Sequence, residues 1–106
     1  MAVHITKDNY QQEVLESPLP VIIDVYASWC GPCQQMEPIF QALEKELKDH
    51  YKFAKVNVDE ARDLSIQFGV TSVPTFVFIN KGQIKAKETG YMSKDDLKTL
   101  IEDALG

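Results

Sequence analysis

Two cysteines, Cys30 and Cys33, are the residues of this sequence whose type and spacing most clearly indicate chemistry. Two residues separate them, and side chains at positions i and i+3 of a helix lie close enough for a disulfide to form. A pair with this spacing can cycle between a dithiol and a disulfide. Because the chain holds only these two cysteines, it is not one of the small secreted scaffolds that several disulfides stabilise.

Three functions are open to such a pair: redox activity, structural stabilisation or metal binding. In the chain-entropy model, a disulfide that closes a ring this small stabilises the fold by only about 1.9 kcal/mol. A zinc site needs four ligands, and the other soft candidates, His4 and His50, lie far from the pair in sequence. Redox activity is therefore favoured, and no metal is expected.

The predicted position of the pair at the start of a helix makes Cys30 the expected nucleophile. Residues 21–27 are β-branched and almost wholly apolar, which is typical of a central strand, and apolar residues after Cys33 recur at helical spacing. Free N–H groups and the positive end of the helix dipole would favour a thiolate at Cys30. Pro32 suits a first helical turn, because it lacks an N–H and has a fixed φ.

Strands and helices are predicted to alternate in the order βαβαβαββα. The βαβ units imply parallel pairing, and the closing hairpin adds antiparallel strands. The expected fold is α/β, with a mixed sheet covered by helices on both faces, in one domain of residues 1–106. The predicted strands are 3–5, 21–27, 53–58, 75–79 and 83–88. The first predicted helix runs from a cap at Thr6 to about 16, and the second follows Cys30, with an apolar stripe after Cys33 that reaches about 49. The third covers 61–68, after a cap at Asp59 and before a left-handed Gly69, and the fourth begins after a cap at Ser93.

Composition and charge narrow the range of partners. Eleven basic and 16 acidic side chains give a net charge of −5, and no basic run is long enough to follow a phosphate backbone, so no nucleic acid partner is expected. The first residues lack the basic and apolar segments of a secretory signal, and no apolar run reaches membrane-spanning length. We therefore expect a soluble cytoplasmic protein that does not associate with a membrane.

One pentapeptide and several single positions give the sequence a resemblance to the thioredoxin family. The resemblance covers essentially the whole chain and implies the thioredoxin fold, a mixed five-stranded sheet flanked by four helices. It also implies a monomer that acts as a general protein thiol-disulfide oxidoreductase, specifically a disulfide reductase. The residues that carry it are Trp29-Cys30-Gly31-Pro32-Cys33, Pro38, Val73-Pro74-Thr75, Gly82 and Gly90.

The reaction that this resemblance implies begins with attack of the Cys30 thiolate on a protein disulfide, after which Cys33 resolves the mixed disulfide. No bound cofactor is expected, because the chain has no Gly-rich dinucleotide loop. Electrons would come indirectly from NADPH through thioredoxin reductase, and the other partners would be disulfide-containing proteins. Two alternatives stay open: an oxidase or isomerase of the same fold, and a binding module whose affinity the redox state switches.

Asp24 is a carboxylate inside an otherwise apolar strand, where burial would raise its pKa. The family resemblance places a buried aspartate here, and we predict that Asp24 accepts the proton of Cys33, directly or through a water molecule. The alternative is a strand aspartate that reaches solvent. Lys55 matches the family's lysine near this aspartate and is predicted to tune its pKa, although a lysine on a strand is more often solvated.

Substrate-binding residues are expected around the cysteine loop. By resemblance, Val73-Pro74 is a cis-proline segment that lies beside the cysteines and pairs with an extended substrate, whereas an ordinary strand start would have a trans bond. Trp29 either packs in the core or forms part of a flat apolar surface. With Trp29, this surface is expected to include Gly31, Pro32, Val73 and Gly90. A second set of residues departs from common family members and is expected to affect partner choice: Tyr26, Gln34 and Tyr91-Met92.

Overall fold

A computed structural model of the chain describes residues 2–106, which form one central sheet with helices on both faces. The strands are β1 (Val3–His4), β2 (Val21–Tyr26), β3 (Lys52–Asn57), β4 (Thr75–Asn80) and β5 (Gln83–Thr89). The helical segments are a π-helix (Gln11–Leu15), α1 (Gly31–Leu47), α2 (Arg62–Gln67) and α3 (Lys94–Leu105).

The strand order β1-β3-β2-β4-β5 places the apolar strand β2 at the centre of the sheet. Strand β3 is parallel to β1 and to β2, whereas β4 is antiparallel to β2 and β5 is antiparallel to β4. The mixed five-stranded sheet with four flanking helical segments is thereby confirmed. Since β2 is followed directly by the cysteine loop, the pair lies at the carboxyl end of the central strand.

Two apolar layers hold the helices to the sheet, because successive strand side chains point to opposite faces. On one face Ile22 packs with residues of α1 and α3, and on the other face Ile23 packs with residues of the π-helix and α2. Large buried residues of the first layer are Met36, Phe40, Leu43, Phe76, Phe78, Leu97 and Ile101, and those of the second include Ile5, Val14, Leu64, Phe68 and Ile79.

The first helical segment is shorter than predicted and begins later than Thr6. The Thr6 side-chain oxygen accepts a hydrogen bond from the Asp8 N–H at 3.2 Å, and Asn9 Oδ1 accepts one from the Thr6 N–H at 2.9 Å. These local side-chain bonds stabilise a turn in place of the first helical turns. In this first helical segment, the regular helix is the π-helix Gln11–Leu15.

Asp59 was expected to cap α2, and this prediction is wrong. The residue before α2 is Ala61, which makes no side-chain cap bond. Asn57 Oδ1 accepts a hydrogen bond from the Asp59 N–H at 2.9 Å, and this turn separates Asp59 from the helix. Two other end signals are confirmed, because Gly69 is left-handed with a φ of +72° and Ser93 Oγ accepts from the Asp96 N–H at 3.1 Å.

Within residues 2–106, none of the helices combines the length and the apolar character that crossing a bilayer requires.

Gly69 ends α2 at the start of the loop that leads to Val73, and its backbone conformation favours glycine. A Cβ at Gly69 would lie 3.0 Å from Lys87 Nζ, which donates a hydrogen bond to the Phe68 carbonyl. A side chain in the left-handed region costs about 1–2 kcal/mol, so Gly69→Ala should lower the free energy of unfolding by that amount in urea titrations. Gly31→Ala is the matched control, because a Cβ there meets nothing within 4 Å. An equal loss in both variants would contradict this explanation.

Candidate active site

Cys30 lies at the N-cap of α1 with an extended backbone, as the helix signals after β2 predicted. It forms a disulfide with Cys33, and the two Cα atoms are 5.2 Å apart. The Cys33 N–H donates to Cys30 Sγ at 3.2 Å, and Pro32 occupies the first turn of the helix. When the pair is reduced, the same N–H and the positive end of the helix dipole stabilise negative charge on the Cys30 sulfur.

Both cysteines are buried, and Cys30 lies close to the neighbouring loop at Val73. Cys30 is 6% exposed and Cys33 3% exposed. Cys30 Sγ lies 3.7 Å from the carbonyl oxygen of Val73, and Val73 packs against the small cluster of Ala27 and the two cysteines. In the dithiol state, Cys30 can donate its S–H to that carbonyl, so the Val73 backbone lies within reach of whatever reacts with Cys30.

The Val73–Pro74 peptide bond is cis, as expected. Two sets of hydrogen bonds hold this segment. The Gly90 N–H donates to the Pro74 carbonyl at 2.8 Å, and Gly90 has a φ of +105°. The Thr75 hydroxyl donates to the Ser72 carbonyl at 2.7 Å and lies 2.9 Å from the hydroxyl of Thr89. Gly90 is thus linked to the cysteines through Pro74 and Val73.

Trp29 lies on the surface beside the cysteines and is 70% exposed, so core packing does not explain it. Its indole N–H donates to Asp59 Oδ2 at 3.0 Å, which orients the ring along one wall of an open groove with a volume of about 580 Å³. Gly31 and Pro32 are exposed at the start of α1 but do not line this groove, and neither does Gly90. Its lining residues are Trp29, Val58, Asp59, Arg62, Ser65, Ile66, Val70, Thr71, Ser72 and Val73.

Asp24 is fully buried, so the alternative in which it reaches solvent is excluded. Neither of its carboxylate oxygens has a hydrogen-bond partner among residues 2–106. Burial raises the pKa of Asp24 to about 7, the nearby Lys55 ammonium opposes this rise, and Glu37 adds to it. A carboxyl group with such a pKa can take up and release a proton near neutral pH.

Lys55 is the register partner of Asp24 on β3, and it is also buried, so the solvated alternative is excluded. Its ammonium forms an ion pair with Glu37 Oε2 of α1 and lies 4.3 Å from the centre of the Tyr26 ring. Lys55 donates no hydrogen bond to Asp24. The predicted proximity of Lys55 and Asp24 is therefore present, but the ammonium is directed at a different carboxylate.

The position of Asp24 relative to Cys33 follows from these contacts. Cys33 and Glu37 are four residues apart on α1, so they lie on the same side of that helix. Glu37 pairs with Lys55, and Lys55 neighbours Asp24 across the sheet. Tyr26, two residues after Asp24 on β2, packs against the cysteine cluster. The Asp24 carboxyl therefore lies beneath the side of α1 that carries Cys33.

Comparisons with known proteins agree with this geometry. The sequence model of the thioredoxin family matches residues 1–103. The thioredoxin of Rickettsia felis is 37% identical over 105 residues, which cover 99% of this chain and 100% of the relative. The thioredoxin of Mycoplasmoides gallisepticum is 36% identical over 93% of this chain and 98% of its own length, and that of Haemophilus influenzae is 35% identical over 93% and 92%. The chain belongs to the thioredoxin family.

Family membership, together with the cysteine pair at this spacing, identifies the activity as thiol-disulfide oxidoreduction. The redox group of a thioredoxin is the cysteine pair itself, which here is Cys30 and Cys33. Among residues 2–106, no three His, Cys, Asp or Glu side chains are grouped as a metal site requires.

Sequence reasoning missed three residues of this thioredoxin site. Glu37 belongs to no motif, but its spacing of four from Cys33 places it on the same side of the predicted helix. Asp59 was interpreted as a cap, and nothing local indicates its bond to Trp29, which is 30 residues away. Ile66 is 70% exposed in the groove. It falls outside the buried stripe of α2, and an apolar residue outside that stripe is a usable signal.

The buried carboxyl of Asp24 should make the stability of this thioredoxin depend on pH. Its pKa is about 7 in the folded protein and about 4 in the unfolded chain. Between these two pH values, the folded state therefore holds one more proton than the unfolded state. Stability contributed by Asp24 therefore falls as the pH rises through this interval. The unfolding free energy of Asp24→Asn minus that of the wild type should increase by about 4 kcal/mol from pH 4 to pH 8.

Guanidinium titrations of the disulfide form at several pH values measure this difference. Asp49→Asn, at an exposed position of the same residue type, is the matched control and should show no comparable increase. A difference between Asp24→Asn and the wild type that does not vary with pH would contradict the assignment.

Proposed function

We propose that this thioredoxin reduces disulfides of other proteins, with Cys30 as the nucleophile and Cys33 as the resolving thiol. The single observation that carries this assignment is the position of Cys30 at the N-cap of α1, where its sulfur accepts the Cys33 N–H. Cys30 also lies 3.7 Å from the Val73 carbonyl oxygen in the neighbouring loop, whereas Cys33 lies within the first turn of α1. A protein substrate can therefore reach Cys30 before Cys33.

In the first step, the Cys30 thiolate attacks one sulfur of the substrate disulfide. A bond forms between Cys30 Sγ and that sulfur, and the sulfur–sulfur bond of the substrate breaks. The second substrate sulfur leaves with the electron pair as a thiolate and takes a proton from solvent. The product is a mixed disulfide between Cys30 and the substrate.

In the second step, the Cys33 thiol gives its proton to the Asp24 carboxylate, directly or through a water molecule. The Cys33 thiolate then attacks Cys30 Sγ, so the Cys30–Cys33 bond forms and the bond from Cys30 to the substrate breaks. The substrate sulfur leaves with the electron pair as a thiolate and takes a proton from solvent. The substrate has gained two electrons, the cysteine pair has lost them, and Asp24 later releases its proton to solvent. A pKa of about 7 suits Asp24 to this role near neutral pH.

We assign substrate binding to the surface around Cys30. An extended substrate segment would pair with the backbone of Val73, as peptides do at exposed strand edges. The cis bond of Pro74 and the hydrogen bond from Gly90 hold that backbone in place. Trp29 and Ile66 offer apolar surface in the adjoining groove, and Gly31 and Pro32 are exposed directly after Cys30.

Regeneration of the dithiol needs two electrons and two protons, and we propose that a thioredoxin reductase supplies the electrons from NADPH. The sequence has no Gly-rich dinucleotide loop with which to bind NADPH itself. The proposed location is the cytoplasm, where thiols are kept reduced. The alternative function is a binding module whose affinity for a partner depends on the redox state of the cysteine pair. Such a module would bind its partner without catalytic turnover of disulfides.

Cys30→Ser and Cys33→Ser separate these possibilities. With a thioredoxin reductase, NADPH and insulin as the disulfide substrate, the wild type should consume NADPH steadily and Cys30→Ser should not. Cys33→Ser should accumulate a covalent complex with insulin that dithiothreitol releases, because its resolving thiol is missing. Absence of wild-type turnover while the Cys30–Cys33 disulfide still forms would contradict general reductase activity.

Ile66→Ser tests the groove. Because the substitution removes one apolar contact with the substrate, it should raise the KM for insulin in the reduction assay about tenfold, while kcat stays nearly unchanged. Gln67→Ser is the matched control, because Gln67 is exposed on the same helix but does not line the groove. Reduction of a small aromatic disulfide should be unaffected in both variants. Equal KM values for Ile66→Ser and Gln67→Ser would exclude Ile66 from the substrate surface.

A further inference from the structure

Glu37 is a charged residue next to the buried carboxyl for which the reaction scheme above has no role. It belongs to α1, and its side chain is 38% exposed. Its Oε2 pairs with the Lys55 ammonium, and its Oε1 accepts a hydrogen bond from Gln41 Nε2 at 3.3 Å. Both carboxylate oxygens of Glu37 are thus engaged, in contrast to those of Asp24.

Lys55 is placed so that it could serve either of two carboxylates. It stands opposite Asp24 in the register of β2 and β3, so the two side chains project from the same face of the sheet. Its ammonium lies over the ring of Tyr26, two residues after Asp24 on β2, and against Glu37. The ion pair therefore lies close to the surface, because the Glu37 side chain is partly exposed to solvent.

The choice between the two carboxylates matters for proton transfer. An ammonium in direct contact with a buried carboxylate strongly favours the charged form of that group, so the carboxylate would bind a proton only at low pH. A carboxyl group without such a partner can remain protonated near neutrality. The side chain that decides where the Lys55 ammonium lies therefore decides whether Asp24 can exchange a proton.

We propose that Glu37 is a positioning residue: by pairing with Lys55, it holds the ammonium away from Asp24 and leaves the buried carboxyl free to take up a proton. This inference deepens the proposed function and rests on it, since the proton that Asp24 takes up there is the one that Cys33 gives up. Glu37 acts on Asp24 chiefly by placing Lys55, and its own negative charge adds a direct effect that raises the pKa of Asp24.

Two charged groups of neighbouring elements act on Asp24 within residues 2–106. Strand β3 contributes Lys55, its register partner, and α1 contributes Glu37, which pairs with Lys55. Strand β2 contributes the Tyr26 ring. The partner on β4 is the apolar Phe76, and the buried residues of α3 are Leu97 and Ile101. Burial has the largest effect on the pKa of Asp24, with Lys55 lowering it and Glu37 raising it.

A double-mutant cycle separates the positioning effect of Glu37 from its direct charge effect. The pKa of Asp24 can be followed by carbon NMR of its carboxyl group in the disulfide form, where no thiol titrates. In Glu37→Gln, the freed Lys55 ammonium should move to Asp24, and the Asp24 pKa should fall by at least about one unit. In the Lys55→Met background, the same substitution should lower it by less than half as much, because no ammonium remains to be released.

Glu46→Gln is the matched control. Glu46 lies on the same helix and pairs with Lys94 and Lys98, so its substitution also removes an ion-paired glutamate but should leave the Asp24 titration unchanged. If Lys55→Met does not fold, Lys55→Gln replaces it. Equal shifts caused by Glu37→Gln in both backgrounds, or no shift in either, would overturn the positioning role.

The proposed function can fail independently of this inference. The NMR titration needs no turnover, so it reports on Glu37 and Lys55 even if Asp24 takes no part in catalysis. Insulin reduction by Glu37→Gln is measured alongside over the same pH range. If the Asp24 pKa falls as expected while the pH dependence of turnover stays that of the wild type, the positioning role of Glu37 stands and the role of Asp24 as proton acceptor is wrong.

Discussion

The Asp24 carboxyl lies inside an apolar sheet without a hydrogen-bond partner among residues 2–106, and this constrains the whole arrangement around it. A buried polar group left unpaired costs free energy, and the cost is lower when the carboxyl is uncharged. The fold meets this condition by covering β2 with strands on both edges and with α1 above it. The helix that excludes water from Asp24 is also the helix whose first turn carries the cysteines.

The reactive loop combines two distant parts of the chain. The central strand β2 delivers Cys30 to the start of α1, and the segment before β4 brings Val73 to within 3.7 Å of the Cys30 sulfur. Hydrogen bonds from Gly90 and between the Thr75 and Thr89 side chains fix that second segment to the end of β5. The sheet therefore sets the distance between the nucleophile and the backbone that would bind substrate.

Much of this could be predicted from the sequence, because the decisive signals are local. The spacing of Cys30 and Cys33 indicates a redox pair, the apolar run before them indicates a central strand, and a lone carboxylate in that run marks Asp24. The resemblance to thioredoxins placed Val73-Pro74 beside the cysteines. These features depend on residues that are close in sequence or on a family pattern that covers the chain.

The features that were missed depend on contacts between distant elements. The ion pair of Lys55 with Glu37 joins β3 to α1, and the bond of Trp29 to Asp59 joins the cysteine loop to the segment before α2. No local pattern specifies which of two carboxylates a lysine will choose. The predicted helix start at Thr6 is wrong for a local reason. Side chains that can cap a helix can also stabilise a turn, as those of Thr6 and Asn9 do here.

If the buried carboxyl of Asp24 controls the second thiol, the rate at which Cys33 resolves a mixed disulfide must depend on it. A chromogenic aromatic disulfide forms the mixed disulfide at Cys30, and stopped-flow absorbance follows release of the second aromatic thiol as a function of pH. We expect a wild-type rate that rises with a midpoint near pH 7, and a rate at neutral pH at least about tenfold lower in Asp24→Asn. The same rate and the same pH profile in both proteins would contradict it.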